Sequence, residues 1–90
     1  MVIGKSSINQ QNYDVLVFCE RDIEKVIIPD FIEIIGSYAF HKCIKLKRIE
    51  FSNRSKLREN KNHAFSYCSI EYISLPSSLI KIGSSSFCGC

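Results

Sequence analysis

Apolar positions along this chain fall into a pattern that returns. Ile23-x-x-Val26-x-Ile28, Leu46-x-x-Ile49-x-Phe51 and Ile70-x-x-Ile73-x-Leu75 share one LxxLxL spacing, and their starts lie 23 and then 24 residues apart. A second ladder runs between them. Phe40, Phe65 and Phe87 each follow a small residue (Ala39, Ala64, Ser86) and each precede a cysteine by three positions (Cys43, Cys68, Cys90). Two ladders agreeing on one period are the signature of a repeat architecture, in which each unit packs only against its neighbours. Alternation over LxxLxL predicts a strand with Val26 and Ile28 inward and Lys25 and Ile27 outward. The expected fold class is a β-rich solenoid of about three short repeats of 22–25 residues, with parallel strands and short turns or helical turns.

Punctuation inside the units refines this. Pro29 and Pro76 end the first strand, because proline cannot donate to a sheet ladder. A second short extended segment carries Ile32-x-x-Ile35, Leu57-x-x-Asn60 and Leu79-x-x-Ile82. Gly36 and Gly83 then turn the chain, with positive φ expected at both. The middle unit departs from its own rule twice, with Asn60 where the others have Ile35 and Ile82, and Lys61 where they have glycine. A buried amide there is expected either to bond backbone groups or to distort the turn. A lysine at a left-handed position is expected to cost about 1–2 kcal/mol.

Residues 1–22 stand outside the pattern and form a lead-in. Its strand candidate, Tyr13 to Phe18, is expected to cap the first repeat. The repeats then run 23–45, 46–69 and 70–90, the last incomplete. An incomplete last repeat leaves an apolar edge uncovered, so self-association or fraying is expected at that end.

Composition narrows the function classes. At 46% hydrophobic and 23% charged the chain is an ordinary globular sequence. A net charge of +3, with Glu50 and Glu59 interrupting the basic middle, argues against a nucleic-acid partner. No apolar run reaches the roughly 18 residues of a membrane span, and the N-terminus lacks the apolar stretch of a secretory signal. The five cysteines are an odd count, so they close no disulfide framework and read as small buried thiols. Cys88-x-Cys90 is too short for a zinc CxxC, and His41 and His63 occupy different repeat positions, so no metal or cofactor is expected. His41 lies two residues from Cys43 with no third group to orient it, and no glycine-rich phosphate loop is present, so no catalytic residues are assigned. Asn53-Arg54-Ser55 is a glycosylation sequon with meaning only in an exported chain.

The unit LxxLxLPxxLxxIGxxAFxxC, seen most fully in residues 69–90 (SIEYISLPSSLIKIGSSSFCGC), resembles the leucine-rich repeat of BspA-like surface proteins of the treponemal type. The resemblance implies a curved solenoid with a strand-lined concave face, no enzymatic activity, and adhesion to host cells, matrix or other microbes. It also implies a cell-surface or extracellular location. A binding face would then use the outward strand residues, in one column of Lys25, Arg48 and Tyr72 and another of Ile27, Glu50 and Ser74. The expected partner is a protein. The alternative is a truncated structural repeat fragment with no binding activity of its own.

Overall fold

The computed structural model describes residues 1–5, 7, 13–87 and 89. Eight strands follow in chain order: β1 (Val2–Gly4), β2 (Val15–Phe18), β3 (Lys25–Ile28), β4 (Ile34–Ile35), β5 (Arg48–Phe51), β6 (Glu59–Asn60), β7 (Tyr72–Ile73) and β8 (Lys81–Ile82). There is no helix among the described residues. The LxxLxL stretches supply β3, β5 and β7, which form a three-stranded parallel sheet. The second extended segments supply β4, β6 and β8, joined by the lead-in strands in a sheet of order β1-β2-β4-β6-β8. Every pairing is parallel except that of β1 with β2. The result is a β-rich repeat fold.

Register follows the sequence ladders. Across β3, β5 and β7, Arg48 lies between Lys25 and Tyr72, and Ile49 lies between Val26 and Ile73. Val26 and Ile49 are buried while Lys25 and Arg48 are exposed, as strand alternation requires. In the other sheet Leu16 pairs with Ile35, Ile35 with Asn60, and Asn60 with Ile82.

The turn between one unit's second strand and the next unit's first is a third ladder. Phe40 and Phe65 are fully buried and stacked, with centroids 5.0 Å apart and planes 9° from parallel, and Phe87 continues the stack 5.1 Å from Phe65. The amide of each buried residue donates to the small residue one unit on: Cys19 to the Ala39 carbonyl, Phe40 to Ala64 and Phe65 to Ser86, at 3.0, 2.8 and 2.8 Å. This explains the small residue before each phenylalanine. Its carbonyl must approach the neighbouring chain closely, and a large side chain there would hold the units apart.

Along the turn, overlapping i→i+3 bonds (Ala39 to Gly36, His41 to Tyr38, Cys43 to Phe40) bend the chain without forming a helix. Two residues of each turn take left-handed backbone. They are Tyr38 and Lys42, then His63 and Tyr67, then Ser85 and Gly89, with φ between 56° and 79°. The left-handed positions expected at Gly36 and Gly83 therefore fall two residues later. Gly83 is glycine for a different reason, since a Cβ would lie 2.5 Å from the Asn62 amide nitrogen. At Gly36 a Cβ would lie 3.1 Å from the Leu16 carbonyl. Lys61 consequently carries no left-handed strain.

Asn60 is the other departure, and neither expected remedy operates. Its backbone keeps the ladder: the Lys61 amide donates to Ile35 at 2.9 Å, and the Asn60 carbonyl accepts from Gly83 at 2.7 Å. Its side chain is fully buried, with both amide atoms lacking a hydrogen-bond partner among the described residues. The turn is undistorted and the polar atoms are left unmet.

The lead-in completes the core from the other side. Leu16 and Cys19 are fully buried in the same cluster as Ile35 and Phe40, and β1 lies antiparallel over β2. Burial thins toward the last unit. Ile70, Ile73, Leu79 and Phe87 are only partly covered where Leu46, Ile49, Leu57 and Phe65 are fully buried, and Ile80 is 83% exposed. Each position in this fold is covered by the unit on either side, and the last described unit has a neighbour on one side only.

Candidate interaction face

The outward face of the three-stranded sheet is built by alternation alone. Because Val26, Ile49 and Ile73 enter the core, the residues beside them must point away from it. Lys25, Arg48 and Tyr72 form one column, and Ile27 pairs with Glu50 in the next. Ser74 is exposed but lies one residue past β7, so it joins the column in sequence and not in the ladder.

Charges on this face are linked. Glu50 accepts from Arg48 Nε at 2.9 Å and lies 3.6 Å from Lys25 Nζ, so one carboxylate separates two cations that would otherwise sit side by side. The Arg48 hydrogen bond holds the Glu50 carboxyl below its ordinary range, against the opposing effect of burial and with further help from the nearby Lys25 charge. Arg48 then covers the Tyr72 ring at 4.7 Å, extending the network to the third strand. Ile27, 62% exposed, adds an apolar patch beside it. The face thus presents an ordered Lys-Glu-Arg-Tyr row across the three strands.

Residues outside the strands form a second group. Tyr38 stacks on His63 with centroids 5.0 Å apart and planes within 8°, and meets His41 edge-on at 5.1 Å. His41 also meets Tyr67 edge-on at 5.8 Å, and its Nδ1 lies 3.3 Å from Ser66 Oγ. The two histidines do occupy different repeat positions, yet the turn geometry brings both to one tyrosine. The sequence held a signal for this in the aromatic residues that flank each buried phenylalanine.

Arg21 was likewise not singled out by pattern. Its guanidinium donates to the carbonyls of Cys19 and Ala39 at 3.2 and 3.3 Å and rests on the Phe18 ring at 4.6 Å. It ties the lead-in to the first turn.

Cys19, Cys43 and Cys68 are buried free thiols, and Cys68 donates to the Phe40 carbonyl at 2.8 Å. Burial pushes the Cys19 and Cys43 thiols up, away from the reactive thiolate. Cys88 and Cys90 lie outside the described residues. No group of three or more metal-ligating side chains is present among the described residues. No helix of the described residues is long and apolar enough to cross a membrane.

With ladders, strands and turns in this order, comparison with known families is informative. The family model of the BspA type leucine-rich repeat region (6 copies) matches residues 12–90. The chain belongs to the BspA-type leucine-rich repeat family. No curated protein and no solved structure gives a significant match. The family assignment covers the strand β2 as well as the three LxxLxL units, and it joins the chain to a class of repeat modules that generally mediate protein interactions without catalysis.

Proposed function

We propose that this chain is a non-enzymatic protein-interaction module, a curved solenoid of the adhesion or surface-antigen type, that holds a protein partner on the outward face of β3, β5 and β7. The observation that supports the reading most is the charge-linked row of exposed Lys25, Arg48 and Tyr72 with half-buried Glu50, on adjacent strands of a sheet whose other face is core. Arginine and tyrosine are over-represented among residues that carry interface energy, and here the two are already paired before any partner arrives. A pre-ordered row loses less conformational freedom on binding. Ile27, and Ser74 beyond the strand end, extend the contact on either side. In this reading residues 1–22 cap the array and 23–45, 46–69 and 70–90 are the repeats that present it, at a cell surface or in the extracellular space.

The test is recovery of partners from extracts of surface and matrix proteins by wild type and by Arg48→Ala/Tyr72→Ala. Loss of about 2 kcal/mol or more in affinity for a recovered partner, with folding unchanged, is expected if these are hot spots. Equal recovery of every partner by both proteins would remove this face from consideration. Recovery of nothing by wild type would favour a structural role for the repeats.

A further inference from the structure

The turns carry a second surface whose composition differs from the strand face. Residues 37–43 and 61–68 together with 83–90 contain no aspartate or glutamate, and all nine acids of the chain lie outside them. They do contain Lys42, Lys61, His41 and His63. On the strand face cations are neutralised by Glu50, whereas on the turn face Lys42 and Lys61 have no carboxylate within their own stretches. The rings of Tyr67, His41, Tyr38 and His63 run in unbroken contact along this surface, spanning the first two turns. Tyr38 and Tyr67 are each about half exposed, at 50% and 52%.

These side chains are held at a cost that the repeat does not require. Tyr38, Lys42, His63 and Tyr67 all sit at left-handed φ, where a residue with a Cβ costs about 1–2 kcal/mol relative to glycine. The equivalent positions in the third unit are Ser85 and Gly89, so the backbone accepts small residues there. Ring contacts recover part of the cost, at about 0.5–1.5 kcal/mol per pair. Large aromatic and basic residues at four such positions form a surface of hydroxyl, imidazole and ammonium groups.

We propose that this turn face is an anion-binding site distinct from the strand face, and that its ligand is a sulfated or carboxylated polysaccharide. Charge complementarity sets the sign of the ligand. The ring arrangement bears on its class: the parallel stack of Tyr38 on His63 covers one face of each ring, which leaves a nucleic-acid base only the outer faces to stack on. Within 37–43 and 61–68 the apolar residues Ala39, Phe40, Ala64 and Phe65 are all buried, and the one exposed aliphatic side chain adjoining them is Ile44, just past the first stretch. What remains are polar donors spaced along the repeat axis, suited to sulfate, carboxylate and hydroxyl groups. A shallow polar groove of about 250 Å³ adjoins this surface, lined by Ser37, Lys61, Asn62, Lys81 and Gly83 and by Glu59, whose carboxylate lies 3.8 Å from Lys81 Nζ. Burial, with the charges of Lys42, Arg21 and His63, lowers the pKa of His41, so an anion seated here would favour its protonated form.

The experiment is retention of the 90-residue chain on immobilised heparin, with neutral dextran, poly-glutamate and single-stranded DNA as parallel columns. Wild type is expected to bind heparin at low salt, more tightly at pH 5.5 than at pH 7.5, and to ignore dextran. Tyr38→Asn/Tyr67→Asn and Lys42→Asn keep a residue that tolerates left-handed backbone, so they fold while losing the surface, and each is expected to weaken binding at least tenfold. Arg48→Ala/Tyr72→Ala, on the other sheet face, should bind heparin as wild type does, which separates this site from the proposed protein-binding face. Equal loss in that variant would show retention by net charge alone and overturn the site. Stronger retention on poly-glutamate or on single-stranded DNA would overturn the assignment to polysaccharide.

Discussion

Replacing Asn60 with isoleucine should stabilise the protein, and the structure indicates by how much. The residue is fully buried between Ile35 and Ile82 in the β4-β6-β8 ladder, and both amide atoms lack partners among the described residues. Relieving an unmet buried amide is worth about 1–3 kcal/mol. Burying an isoleucine adds about 1.5–3 kcal/mol, and the extra methyl groups cost about 1–3 kcal/mol if neighbours must shift. Isoleucine is already fully buried at this position in the preceding unit, as Ile35, so the strain should be near its lower limit. A net gain of about 1–3 kcal/mol would raise the melting temperature by roughly 5–20 °C in a domain of this size. Thermal and urea unfolding of wild type, Asn60→Ile and Asn60→Ala would measure it. Asn60→Ala removes the amide without filling the space and should stay close to wild type. If both variants were less stable than wild type, the buried amide must be satisfied in the folded protein.

The stacked phenylalanines make a sharper test of the turn ladder: Phe65→Ala should cost about 3–5 kcal/mol, close to the whole stability of so small a domain, and an unchanged melting curve would refute the register. Lys42→Gly should leave stability unchanged or raise it by about 1 kcal/mol, because relief of left-handed strain outweighs the greater freedom of glycine in the unfolded chain; a loss beyond 1 kcal/mol in urea unfolding would contradict this. The pH profile should fall away on both sides of neutrality. Glu50 and His41 have lowered pKa values in the fold, so their contributions hold above their ordinary values and fade as acid protonates them, His41 below about pH 6.5 and Glu50 below about pH 4.5. Cys19 and Cys43 are raised, so theirs hold below about pH 8.5 and fade as alkali draws the thiolate out. A flat melting temperature from pH 4 to pH 10 would refute both. Peptide mapping after brief alkylation should find Cys19, Cys43 and Cys68 unmodified in the native protein and modified in urea.

Strand identity, inward and outward faces and the ladder of Phe40, Phe65 and Phe87 were all legible in sequence, because they depend on period. A hydrophobic residue every second position, returning every 23 or 24, leaves few ways to bury itself. The column Lys25, Arg48 and Tyr72 could be named for the same reason. Three matters were decided only by the tertiary structure. Left-handed backbone falls at Tyr38 and Lys42 and not at Gly36, because packing of one turn on the next sets φ there, and glycine at 83 answers a close approach by Asn62 that no local pattern records. Asn60 stays buried without partners because the ladder bonds on either side hold its backbone in register whatever its side chain prefers. The gathering of Tyr38, His41, His63 and Tyr67 arises because neighbouring turns lie against each other, so residues at different repeat positions meet across the gap. Periodicity fixes which side of a strand a residue faces; contacts between turns depend on backbone angles set by the packed neighbours, and those exist only once the chain has folded.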